Sequence, residues 1–252
     1  MCEDGRSGKA HRYVPESDGK SPGMTLSKST LTLEQLTGLD ESHLCEYQHR
    51  LIHQDVHAAL AAIQQAATDA GFELTIASAF RSFERQMLIW NNKFNGVRPI
   101  LDSCSQPLDT SCLSELDKIR AILRWSALPG ASRHHWGTDL DVYASNCLPQ
   151  DTQLQLEPWE YEEGGHQAAF NTWLTDNMGR FGFYRPYAVD LGGVAVEPWH
   201  ISYFPVSQSL REQLTPSQLA TVIGDQPVAG KSHILANLDT LYSKYINNIC
   251  EV

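Results

Sequence analysis

Two short stretches rich in histidine and carboxylate residues constrain this chain more than any other feature of its sequence. The first, over residues 132–141, is SRHHWGTDLD, and the second, over residues 197–200, is EPWH. Both place imidazole and carboxylate groups beside tryptophan, at predicted turns or strand ends. Because such groups act together only when they are adjacent in space, the fold must bring two distant segments into contact.

The first stretch ends in a predicted strand over residues 138–143. Side chains alternate between the two faces of a strand, so Asp139 and Asp141 share one face with Tyr143, and apolar residues such as Leu140 occupy the other. The polar face of this strand is therefore the expected floor of a site, and the apolar face is expected to pack on the core.

Apolar residues upstream recur at near-helical spacing from about His43 to Ala70 and predict one long helix that ends at Gly71. His49, His53 and His57 would form a stripe on this helix. The stripe would either bind a metal or, in the simpler interpretation, face solvent.

The remaining pattern predicts an α+β fold with a small antiparallel sheet, helices packed against it and the site on the sheet. Further strands are expected over residues 72–77, 181–184 and 194–197, and residues 201–204 continue the last of these. Helices are expected to begin at residue 82 and to cover residues 114–126 and 165–178, and two more are expected after residue 205. The predicted organisation is a flexible leader over 1–24, one domain over 25–205 and a helical extension over 206–252.

Composition excludes several classes of function. The formal net charge is −11, from 19 Lys and Arg against 30 Asp and Glu, which argues against a nucleic-acid partner and against docking on anionic lipid. No run of about 18 apolar residues occurs, so no membrane insertion is expected. The polar first 23 residues lack the apolar segment of a secretory signal, so the protein is either cytoplasmic or has lost an export signal.

The six cysteines form no CxxC pair, which excludes a zinc ribbon. Cys104 and Cys112 flank a short polar loop and would either pair in an oxidising compartment or remain free thiols. A redox function has little support, because no cysteine is paired with a nearby base.

The two histidine-containing stretches suit a catalytic zinc ion. Such an ion takes three protein ligands and keeps one position for water, whose pKa it lowers to about 7. His134, Asp141 and His200 could supply the ligands, and Glu197 could take the proton of the water. Pro198 restricts Glu197 to an extended backbone. Any one of these side chains alone could be an ordinary polar residue, but the two clusters together favour the zinc site.

Three motifs give the sequence a resemblance to a known family. They are SxxRSxxxQ over residues 78–86, SxHxxGxxxD over 132–141 and ExWH over 197–200. In this order they resemble the LAS zinc metallopeptidases, and within these the sequence is most similar to the VanY-type D-alanyl-D-alanine carboxypeptidases. The resemblance covers about residues 43–205 and implies the α+β fold that these peptidases share with hedgehog domains.

The resemblance also implies roles for the matching residues. His134, Asp141 and His200 would hold Zn²⁺, and Glu197 would be the general base. Arg81 would hydrogen-bond the oxyanion or position the substrate, which suits a guanidinium group aimed at developing negative charge.

Other residues of the motifs leave alternatives open. Ser132 and Gln86 would contact the substrate or make supporting hydrogen bonds, and capping of a loop or helix is the alternative for both. His135 is not a ligand in this register. Asp139 departs from the family pattern, which often has alanine there. It would orient a ligand imidazole, face solvent, or share in metal binding.

The implied reaction is metal-assisted hydrolysis that releases a terminal D-alanine from a peptidoglycan stem peptide. An L,D-carboxypeptidase or an endopeptidase would carry the same motifs, and a zinc-containing binding module without catalysis is an alternative from a different class. The family implies the bacterial cell envelope or periplasm, although a cytoplasmic location stays open. The resemblance implies nothing about oligomeric state.

Overall fold

The structure is a computed structural model that describes residues 29–102 and 105–252. Its strands are β1 (Leu44–Tyr47), β2 (Arg50–His53), β3 (Leu74–Ser78), β4 (Asp139–Ala144), β5 (Phe183–Tyr184) and β6 (His200–Tyr203). Its α-helices are α1 (Leu33–Leu36), α2 (His57–Asp69), α3 (Phe83–Phe94), α4 (Glu115–Leu123), α5 (Pro158–Tyr161), α6 (Ala168–Asn177), α7 (Phe204–Gln213), α8 (Pro216–Asp225), α9 (Lys231–Ala236) and α10 (Leu238–Leu241). The predicted leader over 1–24 lies outside the described residues, and so does Cys104, whose pairing with Cys112 was left open.

A four-stranded antiparallel sheet in the order β3-β4-β6-β5 forms the centre of the fold, and β1 and β2 form a separate hairpin. The α+β class with a small antiparallel sheet is therefore confirmed. Helices α2 and α6 pack on the apolar face of the sheet, where Leu140, Val142 and Ile201 are fully buried. The opposite face is left for polar side chains.

Strand β4 follows the predicted alternation and sets the register of the polar face. Asp141 lies opposite His200 of β6, and Asp139 lies opposite Ser202. Leu140, which lies between the two aspartates, and Val142, which follows the second, point into the core. Strand pairing therefore joins the two motif stretches, because it places the second aspartate directly across from the histidine that begins β6.

The predicted helix over residues 43–70 is wrong in its first half. Strands β1 and β2 occupy that part, and the helix α2 begins only at His57. The hairpin turns at Gln48 and His49, both with positive φ (49° and 61°), as a two-residue turn of type I′ requires. Neither residue is glycine or asparagine, so the turn had no sequence signal. The histidine stripe at 49, 53 and 57 consequently does not exist on one helix.

The predicted strand over residues 194–197 is also absent. This segment makes its backbone hydrogen bonds with other loops, since Ala195 N donates to Arg124 O at 2.9 Å and Glu197 N donates to Tyr187 O at 3.1 Å. The strand expected at 72–77 is β3, and the helix expected from residue 82 is α3, capped by the Ser82 side chain. The helices expected over 114–126 and 165–178 are the shorter α4 and α6.

After residue 203 the chain forms four helices, α7 to α10, and a single π-helical turn at Tyr242–Ile246, where two helices were predicted. Helices α8 to α10 share a second apolar cluster with α3 and α4. Trp90 of α3 is fully buried there, and its Nε1 donates to Ala229 O at 3.0 Å. The domain boundary after residue 205 stays a prediction.

Candidate metal centre and cleft

Three side chains of the motif stretches lie together on the polar face of the sheet. Asp141 is on β4, His200 begins β6, and His134 lies on the turn Arg133–Trp136 that precedes β4. Asp141 Oδ2 is 3.4 Å from His134 Nε2, and Asp141 Oδ1 is 3.4 Å from His200 Nδ1. All three residues are buried, and one ligand atom of each lies within 4.8 Å of the others, so the group could hold a metal ion.

A second partner of each imidazole determines which ring nitrogen faces Asp141. His134 Nδ1 lies 2.9 Å from Ala79 O and donates to it, which leaves the Nε2 lone pair directed at the carboxylate. His200 Nε2 lies 3.0 Å from Asp139 Oδ1 and donates to it, which leaves Nδ1 on the Asp141 side, where it can bind a metal ion once it has lost its proton. Histidines that bind metals commonly carry such a partner on the other nitrogen.

The charge around His200 is strongly negative. Asp139, Asp141 and Glu197 each place an oxygen within 3.4 Å of its ring. Burial would lower the pKa of His200, but the hydrogen bond to Asp139 and the nearby carboxylates of Asp141 and Glu197 hold that pKa well above its usual value. Burial would raise the pKa of Asp141, yet His134 and His200 hold it below its usual range.

One oxygen of Asp141 lies 3.4 Å from His200 Nδ1 but outside hydrogen-bond geometry. This oxygen, Oδ1, is buried and makes no hydrogen bond within the part of the chain that the structure describes. A buried carboxylate oxygen in that condition is costly unless a cation or donor meets it. Two imidazole lone pairs and a carboxylate are ligands that zinc accepts, so His134, Asp141 and His200 fit a zinc ion in ligand type, orientation and charge.

Asp139 is fully buried and does not face solvent. Its Oδ1 accepts from Arg133 Nε at 2.7 Å as well as from His200. Its Oδ2 accepts from Thr138 Oγ1 at 2.7 Å and Ser202 Oγ at 3.0 Å. The carboxylate therefore lies behind the His200 ring, away from Asp141, and is held there by a buried ion pair that the sequence had not predicted.

Glu197 lies at the edge of the group and remains accessible. Its Oε2 is 3.2 Å from His200 Nδ1, and 13% of its side chain is exposed. The turn that carries it is fixed by two backbone hydrogen bonds, from Glu197 N to Tyr187 O and from His200 N to Glu197 O. A carboxylate so placed can exchange a proton with a group in the adjoining cleft.

Arg81 points into the same site from the other side. Its Nη2 is 4.0 Å from Asp141 Oδ2 and donates to Ser78 Oγ at 3.2 Å, while its Nη1 donates to Gln86 Oε1 at 2.9 Å. Gln86 is fully buried and donates to Ala127 O at 2.6 Å. Of the two alternatives for Gln86, the geometry favours the supporting hydrogen bond, because this side chain holds Arg81 and does not line the cleft.

His135 and Ser132 occupy different surroundings although they are close in sequence. His135 is fully buried, with Nδ1 donating to Arg81 O at 2.6 Å and Nε2 accepting from Gly130 N at 3.1 Å. Burial lowers its pKa to about 3, so the ring is neutral and both nitrogens are used. Ser132 is buried but lines the cleft.

A cleft of about 310 Å³ opens beside the metal-site residues, and Arg81, Ser132 and Glu197 lie in its wall. Several other residues in its wall had not been predicted: Lys93, Arg133, Tyr187, Tyr245 and Ile246. Arg133 stands inside the motif and could have been considered as a partner for Asp139. The others carry no sequence signal, because only the fold brings them to the cleft.

A buried His–Asp–His group with an accessible glutamate beside it in a cleft is an arrangement typical of metal-dependent hydrolases. The sequence profile of the family described as VanY, D-alanyl-D-alanine carboxypeptidase, matches residues 49–206, which is more than half of the chain. The protein belongs to this family, as the three motifs had indicated, and membership supports a peptidase.

Two individual relatives match only part of this chain. An uncharacterised protein of Haemophilus influenzae is 36% identical over 121 residues, which are 47% of this chain and 92% of that protein. A D-alanyl-D-alanine carboxypeptidase of Enterococcus faecalis is 30% identical over 149 residues, 58% of this chain and 46% of that protein.

Solved structures are similar at lower identity. VanYB in complex with D-alanine-D-alanine gives a TM-score of 0.48 at 20% identity and covers 73% of this chain and 89% of that one. The LdcB LD-carboxypeptidase gives a TM-score of 0.46 at 24% identity and covers 69% of this chain and 75% of that one.

The helices within residues 29–102 and 105–252 include none with the length and apolar character that a membrane span requires.

Proposed function

We propose that the protein is a zinc-dependent carboxypeptidase that releases the terminal D-alanine from peptidoglycan stem peptides. The observation that carries the proposal is the buried group of His134, Asp141 and His200, with the Glu197 carboxylate 3.2 Å from His200 Nδ1 at the edge of a cleft. The three ligands would hold Zn²⁺, and Glu197 would remain free for proton transfer.

The chain's own residues divide the remaining chemistry between them. When bound, zinc polarises a carbonyl group and lowers the pKa of a bound water to about 7. Glu197 takes the proton of the attacking water and then gives it to the leaving amine, for which its position in the cleft wall is suitable. Arg81 donates to the oxygen that becomes negatively charged, and Gln86 keeps its guanidinium in place.

Asp139 and Ser132 have supporting roles in this proposal. Asp139 orients His200 by accepting from Nε2, so that Nδ1 presents its lone pair to the metal. Ser132 contributes a hydroxyl to the cleft wall, where it contacts the substrate.

The substrate class comes from the family and its relatives. The Enterococcus faecalis relative is a D-alanyl-D-alanine carboxypeptidase, and one similar solved structure is that of an LD-carboxypeptidase. We favour a stem peptide ending in D-Ala-D-Ala as the substrate, with L,D-cleavage of a tetrapeptide as the alternative. A peptidoglycan substrate implies work at the cell envelope or periplasm.

Metal analysis combined with a peptide assay tests the proposal. The purified protein should contain about one zinc per chain and release alanine from a pentapeptide stem, and chelation should stop the release. Glu197→Gln should keep the zinc and lower kcat by roughly 10²–10⁴-fold, because the base is lost and the ligands remain.

The outcomes separate the alternatives. Release of alanine from tetrapeptide stems alone would replace the D,D assignment by the L,D one. Full activity in the zinc-loaded Glu197→Gln protein would refute the mechanism, and zinc binding without hydrolysis of either peptide would favour a binding module.

A further inference from the structure

The cleft contains a lysine that the proposed zinc chemistry does not use. Lys93, near the end of α3, is half-buried, and its Nζ donates to Ser126 Oγ at 2.7 Å. Among the described residues, Lys93 takes part in no ion pair with a carboxylate that the structure records. Burial lowers the pKa of Lys93, and the nearby cations Arg98 and Arg81 add to this, while Glu197 opposes it.

An ammonium group that is half-buried without an anion is unfavourable, because one hydroxyl replaces little of the lost hydration. The surroundings of Lys93 contain further positive charge from Arg98, which also lines the cleft. This part of the wall is therefore cationic in a protein whose net charge is −11. Such a wall suits an anionic group on the molecule that enters the cleft.

The position of Lys93 on α3 relates it to the metal-site residues. Gln86, which holds Arg81, lies seven residues earlier on the same helix, about 10.5 Å along its axis. Ile89 and Lys93 both line the cleft. Because side chains on a helix lean toward its N-terminus, the Lys93 side chain leans toward the Arg81 end. The ammonium group can therefore meet a ligand that also reaches Arg81 and Glu197.

The C-terminal helices complete the same wall. Tyr245 and Ile246 line the cleft and belong to the apolar cluster of α3 and α4. Their segment is fixed by Tyr242 OH, which donates to Leu214 O at 2.6 Å, and by Gly193, whose backbone lies too close to Lys244 O for any side chain. The wall that carries Lys93 is thus packed and fixed in position.

We propose that Lys93 binds the free C-terminal carboxylate of the peptide and thereby restricts the enzyme to removing a terminal residue. The inference rests on the proposed function, whose substrate it narrows to peptides with an unblocked carboxyl end. In a terminal amino acid the carboxylate is two bonds from the scissile nitrogen, so it must lie inside the cleft beside Glu197. An internal peptide bond would place a neutral amide there and leave the ammonium group unpaired.

Two pairs of peptides, each with one chemical difference, test the proposal. The first pair is N-acetyl-L-Lys-D-Ala-D-Ala and its C-terminal amide, and the second pair is N-acetyl-L-Lys-D-Ala and its amide. Each peptide is titrated calorimetrically into the Glu197→Gln protein (the parent), which should not consume it. For whichever free acid binds the parent more tightly, the affinity should be at least tenfold higher than that of its amide. Adding Lys93→Met should weaken binding of the acid by about 10- to 100-fold and leave the amide within about threefold.

Two further variants control for general damage. Lys118→Met removes a lysine that packs over the Phe94 ring of α3 and does not line the cleft, so acid and amide binding should not change. Lys93→Arg keeps the positive charge and should retain part of the preference for the acid. Circular dichroism and the unfolding temperature establish that each variant is folded.

The results distinguish the two proposals. If the acid is preferred only when Lys93 is present, the inference holds, even if wild-type protein hydrolyses no peptide and the proposed function fails. If Lys93→Met binds the acid as tightly as the parent does, or if neither peptide binds the parent, the assignment of Lys93 is wrong. The proposed function would survive that result wherever wild-type protein still releases alanine.

Discussion

Two pairs of neighbouring imidazoles in this protein have opposite surroundings. The rings of His134 and His200 are 4.9 Å apart between centroids, and those of His43 and His53 are 5.8 Å apart. Of the two, only the first pair is part of a group among the described residues that could hold a metal ion. Proximity of histidines is therefore not what distinguishes a metal site.

The difference lies in charge and in the second ring nitrogen. Each ring of the first pair has one nitrogen fixed by a carbonyl or carboxylate and the other directed at Asp141. In the second pair, both ring nitrogens of His43 are buried without a hydrogen bond to any described residue. The carboxylate recorded near His53 is that of the half-exposed Asp55, whose Oδ2 is 3.9 Å from His53 Nδ1. Oriented lone pairs and excess negative charge favour a cation, and a neutral environment favours an uncharged ring.

The largest expected effect comes from removing one imidazole of each pair in turn. His134→Ala should lose stoichiometric zinc and reduce peptide hydrolysis to background, because a ligand of the proposed site is gone. His43→Ala should keep both, since His43 is not one of the three proposed ligands. Zinc content by atomic absorption and the rate of alanine release provide the measurements. Equal zinc loss in both variants would remove the contrast between the pairs.

A smaller effect is expected when the partner behind His200 is removed. Asp139→Ala, which restores the residue common in the family, should weaken zinc affinity by about 10- to 100-fold in competition with a chromophoric chelator. It should also lower the free energy of unfolding of the metal-free protein by about 3–5 kcal/mol, because Arg133 is left buried without its carboxylate.

A double variant separates these two consequences. Asp139→Ala combined with Arg133→Met removes both charges, so most of the stability should return while the zinc affinity stays low. Recovery of zinc affinity together with stability would mean that Asp139 serves the fold alone and does not orient His200.

The smallest effect concerns the pH dependence of the second pair. Burial, with a contribution from His53, lowers the pKa of His43 to about 4, against opposition from the carbonyls of Trp136 and His135 and from Asp40. In the unfolded chain His43 binds a proton as the pH falls below about 6.5, whereas in the folded chain it stays neutral until about pH 4. The contribution of His43 to the free energy of unfolding is therefore largest above pH 6.5, and it is lost progressively as the pH falls toward 4.

His43→Phe should therefore reduce the loss of unfolding free energy between pH 7.5 and pH 5.0. We expect a difference of about 1 kcal/mol, because the ring is only partly buried. His49→Phe is the matched control, since 98% of that side chain is exposed. Urea denaturation at the two pH values measures both, and identical pH dependence in the wild type and His43→Phe would contradict the assignment.

The polar face of the sheet could be predicted from the sequence because its information is local. Alternation in residues 138–143 places Asp139 and Asp141 on one face, and the family motifs associate Asp141 with His200. Strand pairing places Asp141 directly opposite His200.

Other parts depend on contacts that no local pattern encodes. The hairpin over residues 44–53 turns at Gln48 and His49, whose left-handed backbone is imposed by strand pairing and not by a residue suited to it. Lys93 and Tyr245 reach one cleft only through packing of α3 against the C-terminal helices. Strand pairing in the hairpin and packing of distant helices around the cleft leave no such pattern, which explains why helix 43–70 was wrong and why the cationic wall was not anticipated.

The pairing of β4 with β6 has a consequence for how this protein tolerates change. The loop over residues 148–154, which lies between the two strands, can vary in length without changing the register that pairs Asp141 with His200. A single-residue deletion within the turn that begins β6 acts differently, because strand faces alternate. It would bring Ile201 opposite Asp141 and turn His200 away, so changes in length are tolerated in that loop and not in the ladder.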